Sequence, residues 1–303
     1  MRPDPYAWSL HPAATLGVLL LVLLYALALR RFPAPRWRIG AFALGALLLL
    51  ATAVTPLEPL TFHLVTAHLL QNVVLAEWAP LLIVLGVPPA LASTLAARVP
   101  GLRPLTRPAV ALPLWLATYF LWHLPPAYDA ALEHPGTLLH LEHVSYFLAG
   151  LLLWWPVLQH APWRLGDGAR SGYVFAAFVL GSPLGLLLAL LPSPIYDFYA
   201  GGEELWGLAR LADQQIAGVT MASEEAVVFF AVFFFLFARF LRDEERLELE
   251  GVPAHAPFEP TAATVATLGD GLRPTGRTPP AEPASLPPMS GRRVDGGAGR
   301  SPP

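Results

Sequence analysis

Seven stretches of this 303-residue chain carry little charge, and each is close to the length that crosses a bilayer as a helix: 12–29, 39–55, 62–85, 109–124, 138–157, 173–191 and 213–241. Lipid offers backbone amides no water, so a spanning segment must satisfy its own hydrogen bonds, which a helix of about 20 apolar residues does. The expected fold is therefore all-α, a polytopic membrane protein with seven transmembrane helices. Composition agrees. Charged residues make up 14% of the chain against about 25% in soluble domains, and mean hydropathy is +0.51.

The arginines orient the helices. Alternate connections hold Arg30, Arg31, Arg36 and Arg38, then Arg98, Arg103 and Arg107, then Arg164 and Arg170, then Arg239, Arg242 and Arg246. The opposite set holds only Arg2 and Arg210. Positive charge stays on the cytoplasmic side, which predicts an outer N-terminus and a cytoplasmic C-terminus. The first span reads as a retained helix and not a cleaved leader, because its arginines follow the apolar run. The charged stretch 242–250 extends the last helix. From Gly251 onward proline, glycine and arginine dominate without apolar pattern, and such a segment cannot bury a core. The organisation expected is a membrane domain over 1–250 and a disordered Pro/Gly/Arg-rich cytoplasmic tail over 251–303.

Several chemistries are excluded. The chain has no cysteine, so disulfides, thiolate metal sites and thiol catalysis are ruled out. It has no phosphate-binding glycine loop, no HExxH pair and no GxSxG elbow. With no nucleophile–base constellation either, an enzyme is not expected, and the chain is directed to lipid and to a protein partner rather than to nucleic acid.

Seven of the nine histidines fall on one side of the threaded membrane: His11, His63, His68, His123, His134, His140 and His143. On the third span His68 and Asn72 are four apart and share a face with Gln71 alongside, while His63 lies about 140° from His68. On the fifth span His140 and His143 are three apart and share one side of the first turn, a workable two-ligand spacing. His123 closes the fourth span at the same level. Three helices thus bring imidazoles to one depth, the arrangement of a metal site. A lone histidine at a helix end is an ordinary interfacial residue, the reading given to His11 and His134, while His63 divides between that role and a ligand. His160 and His255 lie on the other side.

In the seventh span Asp213 marks the outer start, as a cap of that helix or as a functional carboxylate. Met221 shares a face with Gln214, about 10 Å deeper; a buried thioether suits Cu(I) and equally suits packing. Glu77, Glu224 and Glu225 sit near mid-membrane, where proton handling and a polar network that holds the bundle explain them equally. Trp122, Trp154, Trp155, Trp163, Trp206, Tyr196 and Tyr199 lie near the expected interfaces and read as aromatic belts.

These residues fall in a recognisable order: Phe62-His63 to His68-Leu-Leu-Gln71; Ala79-Pro80-Leu81-Leu82 and Gly86-Val-Pro88; Trp122-His123-Leu-Pro125 with Tyr128-Asp129-Ala130-Ala131; His140-Leu-Glu142-His143; Trp154-Trp155-Pro156; and Asp213-Gln214-Gln215-Ile-Ala-Gly218-Val-Thr-Met221. Over roughly residues 10–242 the chain resembles the CtaG-type cytochrome c oxidase assembly proteins, a polytopic bacterial family associated with the caa-type oxidase. The resemblance implies a multi-pass protein of the bacterial cytoplasmic membrane acting in respiratory-chain biogenesis. Its implied role is that of a metal chaperone that supplies copper, as Cu(I), to the catalytic subunit of cytochrome c oxidase. By the same resemblance His63, His68, His123, His140, His143 and Met221 occupy metal-site positions. The chain departs from the family pattern at Asn72, where a histidine is usual, and at Ala222, where tryptophan is common. Three other classes are compatible with the residues: a haem-binding or redox protein using His68 and His143 as axial ligands, a proton- or cation-linked transporter using Glu77, Glu224 and Asp213, and a metal-free assembly scaffold.

Overall fold

A computed structural model describes residues 2–8, 11–202 and 204–250; the expected tail, 251–303, lies outside the described residues. Among the described residues the chain is all-helical, with no strand. The α-helices run α1 (Pro12–Leu29), α2 (Arg36–Val54), α3 (Leu57–Thr61), α4 (Val65–Val73), α5 (Ala79–Gly86), α6 (Pro89–Arg98) and α7 (Leu102–Leu105). They continue as α8 (Pro108–His123), α9 (Pro125–Glu133), α10 (His140–Leu158), α11 (Asp167–Gly181), α12 (Pro183–Leu190) and α13 (Arg210–Leu249). Two π-helical turns, Val74–Trp78 and Pro135–Leu139, join α4 to α5 and lead into α10.

Among the described residues six helical stretches are long and apolar enough to cross a membrane: Pro12–Leu29, Arg36–Val54, Val65–Gly86, Pro135–Leu158, Asp167–Leu190 and Arg210–Leu249. The expected fourth span is α8, of 16 residues, which reaches about 24 Å at 1.5 Å per residue. Its end is set by the prolines that follow: Leu124 turns extended (φ −64, ψ 127), the conformation a residue before proline favours. The third span starts at Val65, not at Phe62, because Leu64 is extended. His63 therefore sits in a turn ahead of the helix. The last helix continues unbroken from Arg210 through the charged stretch to Leu249, as its sequence predicts.

α2 packs on α5, α4 on α13, α10 on α5 and α8, and α11 and α12 on α13. Small residues let backbones approach where lipid supplies no hydrophobic drive. At Gly150 of α10 an added Cβ would collide with the Ala76 carbonyl oxygen and lie 2.6 Å from Pro80 Cγ. At Gly218 of α13 it would lie 2.5 Å from the Ala189 nitrogen. α1 stands apart, packed on α2 with most of its surface outside the bundle.

Five of the seven aromatic residues expected in belts lie inside the bundle instead. Trp122, Trp154, Trp155, Tyr196 and Tyr199 are buried and act as packing and hydrogen-bonding groups. Trp122 Nε1 donates to Ser145 Oγ at 2.8 Å, Trp155 Nε1 to the Ala161 carbonyl at 2.6 Å, and Tyr199 hydroxyl to the Thr61 carbonyl at 2.7 Å. Trp8, Trp37 and Trp206 are the exposed tryptophans.

Overpacking a close crossing costs about 1–3 kcal/mol or more. Gly150→Leu is expected to lower the unfolding midpoint of the detergent-solubilised protein, followed by tryptophan fluorescence, by several degrees. Gly17→Ala, where an added Cβ meets nothing within 4 Å, is expected to leave it no lower. Equal melting of the two variants would contradict this packing.

Candidate functional site

The centre of the site is one carboxylate oxygen with two donors. His68 Nε2 lies 3.0 Å from Glu142 Oε1, and Asn72 Nδ2 donates to the same oxygen at 2.8 Å. Helical spacing makes this possible: residues four apart on α4 face α10 together. All three side chains are buried, and the His68 ring packs on Tyr128 at 4.6 Å. Against a carboxylate, which only accepts, His68 Nε2 is the donor, and Nδ1 stands on the far side of the ring. That Nδ1, Glu142 Oε2 and Asn72 Oδ1 are all buried without a protein partner. Each unpaired buried polar atom costs about 1–3 kcal/mol, so this cluster is a polar spot of high cost inside the bundle.

The other imidazoles lie in a file around this centre. His123, at the end of α8, donates from Nδ1 to the Tyr119 carbonyl at 2.7 Å, and its Nε2 is buried and unpartnered. His143 Nε2 is likewise buried and unpartnered. Both rings lie within electrostatic reach of His68 and Glu142. His140 is exposed and donates from Nδ1 to the Pro135 carbonyl at 2.6 Å, a contact supplied by the π-turn before α10. His11 faces His140 with ring centroids 6.4 Å apart and planes at 53°, and its Nε2 lies 2.8 Å from Glu58 Oε2. Burial pushes the Glu58 carboxyl from its ordinary 4.5 up to about 7. Burial, and then the neighbouring His140, pushes His11 below its ordinary 6.5.

Two expected site residues stand elsewhere. His63 reaches the Pro3 carbonyl with Nε2 at 2.8 Å and lines a small recess beside Asp213 and Tyr199. Met221 is buried in the apolar core on α13. Among the described residues no three histidine, aspartate or glutamate side chains converge as a metal-holding group.

Asp213 is not the cap of its own helix. Its carboxylate accepts from the backbone of Val65 at 2.6 Å and of Thr66 at 3.1 Å, and from Thr66 Oγ1 at 2.7 Å. A residue of α13 thus caps α4, placing negative charge at the positive end of that helix. Farther along the bundle Glu77, Glu224 and Glu225 form a second polar layer. Trp78 Nε1 donates to Glu224 Oε2 at 2.6 Å and the Tyr119 hydroxyl donates to Glu225. Glu77, fully buried in the first π-turn, lies beside the Glu224 carboxyl.

Sequence reading missed Glu142, Glu58 and the role of His11. A signal existed for Glu142, which sits between His140 and His143 in the first turn of α10. None existed for the His11–His140 pairing, which depends on how α1 leans towards α10.

Glu142→Leu strands the buried His68 and Asn72 donors, at about 1–3 kcal/mol each. It is expected to lower the unfolding midpoint well below that of Glu142→Gln, which keeps an oxygen acceptor. Equal midpoints for the two variants would contradict this role of the carboxylate.

No solved structure matches the chain. Curated relatives include the uncharacterized protein ML1998 of Mycobacterium leprae, 24% identical over 238 residues, which cover 70% of this chain and 35% of that protein. The uncharacterized proteins Mb0105 of Mycobacterium bovis and MT0111 of Mycobacterium tuberculosis are each 23% identical over 209 residues, covering 61% of this chain and 31% of theirs. The chain spans about a third of the length of these curated relatives. The family model described as cytochrome c oxidase caa3 assembly factor matches residues 18–243, which include His68, His123, His140, His143 and the carboxylates Glu77, Glu142, Glu224 and Glu225 but not His11. This chain belongs to the cytochrome c oxidase caa3 assembly factor family.

Proposed function

We propose that this protein is a copper carrier, not an enzyme, that captures Cu(I) at the outer face of the bacterial cytoplasmic membrane and releases it to the catalytic subunit of the oxidase. In this reading α8 is the fourth of seven spans, crossing a locally thin part of the bilayer, and the chain enters from outside and ends in the cytoplasm. The arginine asymmetry supports that orientation.

The carrying observation is the way the imidazoles are held. His68, His123 and His140 each have one ring nitrogen hydrogen-bonded to a carboxylate or carbonyl oxygen, and His11 Nε2 stands 2.8 Å from Glu58 Oε2 as an ion-pair contact. Metal-ligating histidines have this outer support, which fixes the ring and the tautomer and directs the other nitrogen to the metal. Two nitrogens about 2 Å from one ion put ring centroids about 6 Å apart, close to the spacing of His11 and His140. That exposed pair is the capture point. From there the ion moves inward to the unpartnered nitrogens of His143, His68 and His123, with Glu142 balancing its charge and Met221 as a soft donor deeper in the bundle. His63, held by the N-terminal segment, assists only at the rim. Imidazole and thioether ligands without thiolate bind softly enough to capture Cu(I) and let it go.

Titration of the purified protein with Cu(I) against a competing chelator tests this. Wild-type protein is expected to bind copper, the double variant His11→Ala/His140→Ala to lose at least tenfold in affinity, and His68→Ala/His143→Ala to lose stoichiometry. Wild-type behaviour in both double variants would overturn the copper site. Cells without the protein are expected to hold oxidase depleted in copper, and full copper content there would leave a metal-free scaffold as the better account.

A further inference from the structure

Midway along the bundle two carboxyl groups from different helices meet. Glu77 is carried by the π-turn between α4 and α5, and Glu224 stands on α13. The Glu77 carboxyl lies within hydrogen-bond reach of the Glu224 carboxyl. Glu224 Oε2 already receives the indole N–H of Trp78 at 2.6 Å. Glu77 is 0% exposed, and apart from its carboxyl neighbour nothing in the protein offers a donor to either of its oxygens.

Two ionised carboxylates only accept hydrogen bonds, and like charges sharing one site do not both stay ionised. A cation from the protein would relieve them, but none is at hand. The chain has no lysine, and among the described residues no arginine or histidine faces the pair. The titratable groups that face it are Glu225 of α13, Tyr119 of α8 and Tyr146 of α10. α2, α11 and α12 bring none to it. Glu225 is held separately, by the Tyr119 hydroxyl. Both Glu77 oxygens and Glu224 Oε1 are closed to solvent, so the occupant that joins the two carboxyls is no larger than a proton.

We propose that Glu77 and Glu224 share one proton, which makes the pair a proton-binding site that locks the third span to α13 inside the membrane. One proton between them gives each carboxyl a partner and spreads the remaining charge over both groups. Loss of that proton sets two carboxylates against each other where the two helices meet. A proton held in the folded bundle and shed on unfolding makes stability fall as pH rises. The site uses no histidine and does not depend on the copper reading.

Infrared spectroscopy of the full-length protein in lipid nanodiscs reads this proton through the carbonyl stretch of a protonated carboxyl, which shifts in deuterated water. Glu77→Gln and Glu224→Gln each put an amide donor where the shared proton stood. At neutral pH the wild type is expected to show the band, and each single variant to lose as much of it as the double variant loses. Independent protons on the two carboxyls would make the losses add. Thermal unfolding gives a second reading and checks that the variants fold. The wild-type midpoint is expected to drop by several degrees from neutral to alkaline pH, and that of Glu77→Gln, with no shared proton to lose, to drop less. No band in the wild type, no loss in either variant, additive losses, or equal drops with pH would each overturn the proposal.

Discussion

A single buried oxygen, Glu142 Oε1, draws α4 and α10 together by taking contacts from both His68 and Asn72. Inside a membrane domain such a carboxylate is costly unless it is paired, and removing either donor leaves the other side of the pairing exposed to that cost. The rest of the site follows from it. The orientation of His68 sets which ring nitrogen is free, the register of α10 sets where His140 and His143 stand, and Tyr128 of α9 packs on the ring. The start of α4 is held separately, by the carboxylate of Asp213 reaching across from α13. Two carboxylates from two other helices thus fix one short helix in place.

Backbone contact does the remaining work of assembly. Without a hydrophobic drive between helices in lipid, close approach at small residues replaces it, and Gly150 and Gly218 mark the crossings where no side chain fits. The π-turns set two of these side chains: one carries Glu77 into the interior, and the other delivers the Pro135 carbonyl to His140. Such turns inside helices are common at functional sites because they re-aim side chains without breaking the helix.

Much of this was legible in the residues. Apolar length predicts the membrane helices, because satisfying the backbone in lipid leaves little choice, and helical spacing places His68 beside Asn72 and His140 beside His143. What spacing does not carry is the relation between helices. It left His11 an interfacial residue and offered Asp213 as a cap of its own helix, since each of those assignments depends on how elements lean and cross. The aromatics misled for a related reason. Position along a span resembles an interface whether a ring faces lipid or core, and only packing separates Trp154, fully buried, from Trp206, 65% exposed.

The account rests on imidazole nitrogens as the copper donors. X-ray absorption at the copper edge, recorded on the Cu(I)-loaded protein, reads those donors directly. It is predicted to show a low-coordinate shell dominated by nitrogen at about 2 Å, with the outer-shell scattering of imidazole rings that weakens in the His11→Ala/His140→Ala variant. A shell of oxygen alone, or imidazole scattering undiminished in that variant, would contradict it.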